Sequence, residues 1–286
     1  MRRSEGRPRR LTAASSTTRA SLSAMAEDKI RLGGMALANG VLVHGPTAWA
    51  CAIRTPEGEL KVESAAKSFR AAEVEQPFLR GPARLAEVML LLPQVRRALP
   101  EARLPFERRS VVAAMFGGAI VARLIKASRL RPFAQELLAG AISLAPAALA
   151  LRGSDVAAYH GAEHISIGSY EHGETRSKEH ERCGSHIVGP LLISSAVGGA
   201  LAARAPERLR GPARAAAQLG AVGVATELFS WMVRHPDHGL SRALAKPGHE
   251  LQHRLATEDP SPEQLEVAEA ALAACLKLEH GAAGRH

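Results

Sequence analysis

Side chains able to do chemistry concentrate between Ser154 and His186, SDVAAYHGAEHISIGSYEHGETRSKEHERCGSH, which holds five of the twelve histidines and one of three cysteines in 33 positions. The long runs on either side are mostly Ala, Leu, Val and Gly. Within it His160 and His164 are four apart, so on a helix their imidazoles share one face with Glu163 beside the second. The H-x-x-E-H order suits a zinc ion held by the two imidazoles, with Glu163 as general base toward a water. Glu171, His172, Glu174, His180, Cys183 and His186 follow, all ligand types for a borderline metal. The bland alternative is a solvated loop whose histidines are incidental. The density of ligand types in an Ala- and Leu-rich chain raises the metal reading to parity with it. Cys183 is open between ligand, reactive thiol and small packing residue, with packing or turn structure favoured over nucleophile.

A helix must present this face. Ser154 is a candidate cap, Asp155 suits the first turn, and only Gly161 weakens the run. Around it lie four apolar stretches, Val111 to Ala122, Phe133 to Leu151, Ile187 to Ala203 and Ala213 to Val233, paired across arginine-rich connections. They form two apolar helical hairpins flanking a His/Glu-rich site. A bilayer span needs about 20 apolar residues, so hydropathy alone leaves them between membrane spans and the core of a soluble helical domain. Glu227 sits inside the fourth stretch, where a carboxylate is costly unless paired or metal-bound. It reads as the third metal ligand or as the partner of an arginine from a neighbouring hairpin. Glu136, near the start of the second stretch, has a weaker claim. His235 and His238, beside Pro236 and Gly239, read as ordinary loop residues.

Further elements support this frame. Gly33, Gly34, Gly40 and Gly45-Pro46 punctuate short apolar stretches, and Ala48 to Arg54 faces Leu60 to Val62 across a Thr55 to Glu59 turn, which predicts a small β-hairpin. Phe78 to Leu99 reads as an amphipathic helix broken at Pro93. Ser261-Pro262 opens a final amphipathic helix, Glu263 to Leu278, as a packing element. The division is then a disordered basic extension (1–29, with Met25 an alternative start), a Gly-rich hairpin segment (30–76) and a helical region (77–286).

YHGAEHISIGSYEHGE followed by HERCGSH resembles the central signature of the YqhQ-like family, bacterial membrane proteins described as predicted metal-dependent enzymes. Tyr159, His160, Gly161, Ala162, Glu163, His164, Ile167, Tyr170, Glu171, His180, Arg182, Cys183 and Gly184 match its pattern. Ile165, Ser169 and Ser185 stand where the family has Lys, Cys and Thr. The lost cysteine rules out a two-cysteine site, so the metal is expected to rely on histidine and carboxylate. The opening glycines also resemble the family, with Met35, Asn39 and His44 replacing Gln, Glu and Arg. So does the stretch from Pro247 to Leu276, through Leu251, Gln252, Leu255, Thr257 and the QLEV run from Gln264. The resemblance implies a multi-pass protein of a bacterial cell membrane and favours the membrane reading of the hairpins.

Composition agrees with a mostly α fold: aromatics are 3 % and strand-forming residues are scarce. A net charge of +9 on scattered arginines, with few aromatics for base stacking, fits membrane lipids and not nucleic acid. Cys51, Cys183 and Cys275, odd in number and far apart, argue against a disulfide framework. The expected function is metal-dependent hydrolysis of an unnamed substrate, with His160, His164 and a carboxylate on zinc and Glu163 activating water. The opposing class is a non-enzymatic membrane protein whose cluster binds, senses or helps move a metal ion.

Overall fold

A computed structural model of the chain describes residues 29–152, 154–180 and 182–283. The expected basic extension lies outside them apart from its last residue. Four strands, β1 (Gly33–Leu37), β2 (Gly40–His44), β3 (Ala48–Arg54) and β4 (Leu60–Ala66), form an antiparallel meander in that order. The expected single hairpin is therefore half of a larger sheet. β2 escapes a period-two reading because the sheet is covered on both faces, so an inner strand is apolar on both sides, and the edge strand β1 opens on two glycines that carry no alternation. Val41, Val43, Ala50 and Ala52 pack on one layer of helices, while Leu37, Leu42, Trp49, Cys51 and Ile53 pack on the opposite layer.

The opposite layer is α1 (Arg80–Ala98), through Leu91 and Val95. It runs unbroken past Pro93, correcting the expected break. The proline costs the bond to the carbonyl of Met89, and Met89 is exposed, so that carbonyl can tilt outward without a buried penalty. The first layer is built from α5 (Val156–His172) and the last helix, α9 (Pro262–Ala283). A capping box starts α9: Gln264 N–H donates to Ser261 Oγ (3.3 Å) and Ser261 N–H to Gln264 Oε1 (2.9 Å). Glu279 near its end accepts from the backbone N–H groups of Thr47 (2.8 Å) and Ala48 (2.7 Å), fastening α9 to the β2–β3 turn.

Between α1 and α5 the chain makes α2 (Arg109–Ala127), α3 (Pro132–Ile142) and α4 (Ala145–Leu151). After the site it makes α6 (Val188–Ala202), α7 (Arg210–Arg234) and α8 (Gly239–Leu251). Among the described residues four segments, Arg109–Ala127, Pro132–Leu151, Gly184–Ala202 and Glu207–Arg234, are long and apolar enough to cross a membrane. At 1.5 Å per residue the 19 residues of α2 reach about 28 Å, close to the ~30 Å of a hydrocarbon core. Arg123 and Lys126 occupy its last turns, so the helix runs beyond the Val111 to Ala122 stretch. The large side chains of these helices point outward, Phe116 being 70 % and Leu219 73 % exposed. The two hairpins are joined by Glu136 of α3, which is buried, pairs with Lys126 of α2 at 2.8 Å and packs against Gly199 of α6. That pairing accounts for Glu136 without a metal.

Candidate metal centre

α5 is the most enclosed of the helices, lying beside α9 on one face of the sheet, so its polar residues face protein. Asp155 is its first flanking residue. Ser154 does not cap it; the hydroxyl donates to the Ala150 carbonyl at 2.6 Å and closes α4 instead. Gly161, the expected weak point, is where the chain after α8 crosses the helix: a Cβ there would lie 2.1 Å from the Glu258 carbonyl oxygen. Glu258 N–H donates to the Ala157 carbonyl at 3.0 Å, so glycine lets a backbone dock directly on the helix.

That crossing orients the first histidine. His160 Nδ1 lies 2.8 Å from the Ala256 carbonyl, and His164 Nδ1 lies 2.7 Å from that of Lys178. A carbonyl only accepts, so both rings carry their proton on Nδ1 and present the Nε2 lone pair inward, as metal-ligating histidines do. The two ring centroids are 4.3 Å apart. Cys183 brings its Sγ to 3.6 Å from His160 Nε2. A tetrahedral zinc with Zn–N of about 2.0 Å and Zn–S of about 2.3 Å requires an N···S edge of about 3.5 Å. One ligand atom from each of His160, His164 and Cys183 lies within 4.8 Å of the others, which is a group able to hold a metal ion.

Cys183 is placed by a short turn, Gly184–Ile187, whose Ser185 N–H donates to its sulfur at 3.5 Å. Gln252, 1 % exposed, grips that loop on both sides. Its Nε2 donates to Ser185 Oγ (2.7 Å) and to the His180 carbonyl (3.3 Å), and its Oε1 accepts from His180 N–H (3.1 Å). Sequence reasoning matched Gln252 to a family pattern but gave it no role. Its partners lie up to 72 residues away, and no local spacing points to them.

Glu163 is 7 % exposed, accepts no hydrogen bond among the described residues, and has its Oε2 3.8 Å from His160 Nε2. Burial pushes its carboxyl above the usual carboxylate range, with His160 and His180 opposing. It has room because of Gly34 on β1, where a Cβ would fall 2.3 Å from Glu163 Oε1. His164 is shifted the other way, burial holding it below its ordinary value and in the neutral form that binds metal.

The remaining expected ligands are occupied elsewhere. His180 Nδ1 accepts from Arg182 N–H at 3.2 Å, so Nε2 carries the proton and donates to Glu171 Oε2 at 3.3 Å. Neither nitrogen retains a free lone pair. Glu171 takes Arg182 on its other oxygen. Burial alone would raise its carboxyl; the His180 hydrogen bond and the Arg182 charge prevail and hold it below the usual value. Glu227 spends both oxygens on Arg80 of α1, with Arg80 Nε at 2.7 Å from Oε1, which is the arginine-partner reading in place of the ligand reading. His172 bonds the Gly168 carbonyl of its own helix, and Glu174 pairs with Arg176. His235 and His238 lie against Trp231. The cysteine thus takes the place expected for a carboxylate. Cys51 and Cys275 are buried free thiols, pushed by burial to about 12 and about 11.

The centre opens on a cavity of about 730 Å³. One wall is β1 from Gly33 to Ala36, another is apolar, from Phe106, Val111 and Met115 to Pro146 and Ala147, and the floor is His160, Glu163, His164 and Cys183. Its size falls within the ~300–1,000 Å³ of small-molecule sites.

Residues 147–278 match the family model described as "Protein of unknown function (DUF1385)". The matched span takes in the whole centre and Gln252, and leaves the sheet outside. No curated protein and no solved structure matches the chain.

Proposed function

We propose that this is a membrane-embedded, metal-dependent hydrolase in which His160, His164 and Cys183 hold one zinc and Glu163 is the general base. The observation that carries the reading is the convergence of His160, His164 and Cys183, whose ligand atoms lie within 4.8 Å of one another, with each imidazole Nδ1 held by a backbone carbonyl, Cys183 Sγ 3.6 Å from His160 Nε2, and beside them the buried carboxylate of Glu163, which accepts no hydrogen bond among the described residues. Zinc in a site with three protein ligands supplies Lewis acidity and lowers the pKa of a water. The donor set fits it: two neutral imidazoles and a thiolate, with no fourth side chain competing for the remaining position among the described residues.

The chain's own contribution follows from the geometry. Glu163 takes a proton from the attacking water and returns it to the leaving atom, while the water oxygen ends on the electrophilic centre and the bond to the leaving group breaks. Gln252 positions Cys183, and Gly34 leaves space for the carboxylate to move. The cavity shelters the exchange from bulk water.

The test compares two variants at matched expression in a strain lacking the gene. Glu163→Gln keeps the shape and should retain zinc while losing function by about 100-fold or more. His160→Ala should lose both metal and function. Full rescue by Glu163→Gln beside failure of His160→Ala would replace the hydrolase with a metal-binding or metal-sensing protein.

A further inference from the structure

The wall of the cavity formed by β1 is an open sheet edge. β1 is the outermost strand, with only β2 beside it. The two-residue turn Ala38–Asn39 closes on the Leu37–Gly40 pair, so alternation gives the N–H and C=O of Leu37, Met35 and Gly33 to β2. Those of Gly34 and Ala36 therefore point away from the sheet. Among the described residues no hydrogen bond outside the β1–β2 ladder reaches either residue. Sheet edges are normally covered, charged or twisted away. This one is glycine-containing and uncharged, half-buried from Gly33 to Met35 and buried at Ala36, and it lines the cavity that holds Glu163.

We propose that the edge of β1 is a docking strand for an extended apolar polypeptide segment, which it presents to Glu163 for amide hydrolysis. This rests on the hydrolase reading and names its substrate class. An added strand runs about 4.8 Å from its neighbour. Glu163 already overhangs the Gly34 α-carbon, so a peptide at the edge passes beside that carboxylate. Backbone pairing supplies binding in such additions, and alternate side chains supply selectivity. Here the selecting wall is Phe106, Val111, Met115, Pro146 and Ala147, all apolar. Phe106 and Met115 are among the exposed large apolar residues, and Met115 belongs to α2, so the wall is continued by an apolar helix. A lipid acyl chain could use the same wall, but it would leave the polar groups of Gly34 and Ala36 without partners. The reaction consumes one water: the C–N bond breaks, the water oxygen stays on the acyl carbon, and the proton taken by Glu163 goes to the leaving nitrogen.

The experiment uses full-length Glu163→Gln protein in detergent, with its zinc content measured, and a fluorescein-labelled octapeptide of alternating Leu and Thr. A second version carries N-methyl groups on its four central residues, which removes the donors and keeps the apolar side chains. The unmodified peptide should bind and methylation should weaken binding about tenfold or more, since each lost backbone bond costs a few-fold. A ¹³C-carbonyl label at the peptide centre should shift to a β-ladder infrared frequency on binding. Equal affinity for both versions, no binding of the unmodified peptide, or displacement by lysophosphatidylcholine without a β-ladder signal would overturn the docking strand. If such a result came from zinc-loaded protein, the hydrolase reading would stand and only the substrate class would fall. Peptide binding with a β-ladder signal to zinc-free protein would support the strand and remove the metal.

Discussion

The sheet half of the molecule and the two hairpins are made from similar residues, Ala, Leu, Val and Ile, and use them in opposite ways. In the sheet half Leu37, Val41, Leu42 and Ile53 are completely enclosed by α1 on one face and α5 with α9 on the other. In the hairpins Phe116, Ile120, Leu124 and Leu219 point outward. What apolar residues contribute therefore depends on the surroundings: one region supplies its own apolar environment, and the other turns its apolar side chains outward on helices long and apolar enough to cross a bilayer. α5 lies in the enclosed region and faces the hairpins across the cavity. The enclosed core thus holds a polar centre beside helices long and apolar enough to cross a membrane.

The sharpest way to break this contrast is to make changes of one kind in both regions. Leu42→Ala, in the enclosed core, should cost about 2–5 kcal/mol of stability through lost burial and a cavity. Leu219→Ala should cost less than about 0.5 kcal/mol, being exposed in the folded chain. Leu219→Asp, which a water-facing site would tolerate, should instead oppose membrane insertion by about 3 kcal/mol. Thermal unfolding in detergent and carbonate-resistant membrane recovery read these outcomes. A Leu219→Asp protein recovered in membranes at the wild-type level would show that the outward face of α7 meets water.

A smaller effect sharpens the sheet side. Burial first, then the Lys67 charge, lowers His44 to about 4, against the opposing pull of Glu87 and Glu279. Lys67 reaches both His44 Nδ1 (3.0 Å) and Glu87 Oε2 (2.7 Å) in this buried group. Between the ordinary value of 6.5 and about 4 the unfolded chain takes up a proton that the folded chain refuses. Stability from this group is therefore intact above pH ~6.5, falls as pH drops toward ~4, and levels off below. The ceiling is ~3 kcal/mol, from 1.36 kcal/mol per unit. His44→Gln should flatten that part of the profile of melting temperature against pH, and an unchanged slope would assign the loss to other groups.

Local spacing made part of the molecule legible and long-range pairing concealed the rest. The shared face of His160, Glu163 and His164 follows from their order on a helix, and the helical hairpins follow from run length. The start of α9 follows from Ser261 and Pro262. Gly34 was readable as a close-approach glycine, though not what it approaches. β2 was obscured because a strand covered on both faces loses its alternation, and β1 because two of its five residues are glycines. Cys183 was undervalued because its position depends on Gln252, 67 residues from the Ser185 it grips. Glu227 drew attention as a carboxylate in an apolar run, but its partner Arg80 lies 147 residues earlier, and no pattern within α7 identifies it.

The central claim is that two imidazoles of α5 and the Cys183 thiolate share one metal. X-ray absorption at the zinc edge of the purified full-length protein tests it most directly. The account predicts one zinc per chain with nitrogen scatterers at about 2.0 Å and a single sulfur at about 2.3 Å, the sulfur disappearing in Cys183→Ser. Wild-type protein that takes up no stoichiometric zinc, or a shell without sulfur, would contradict it.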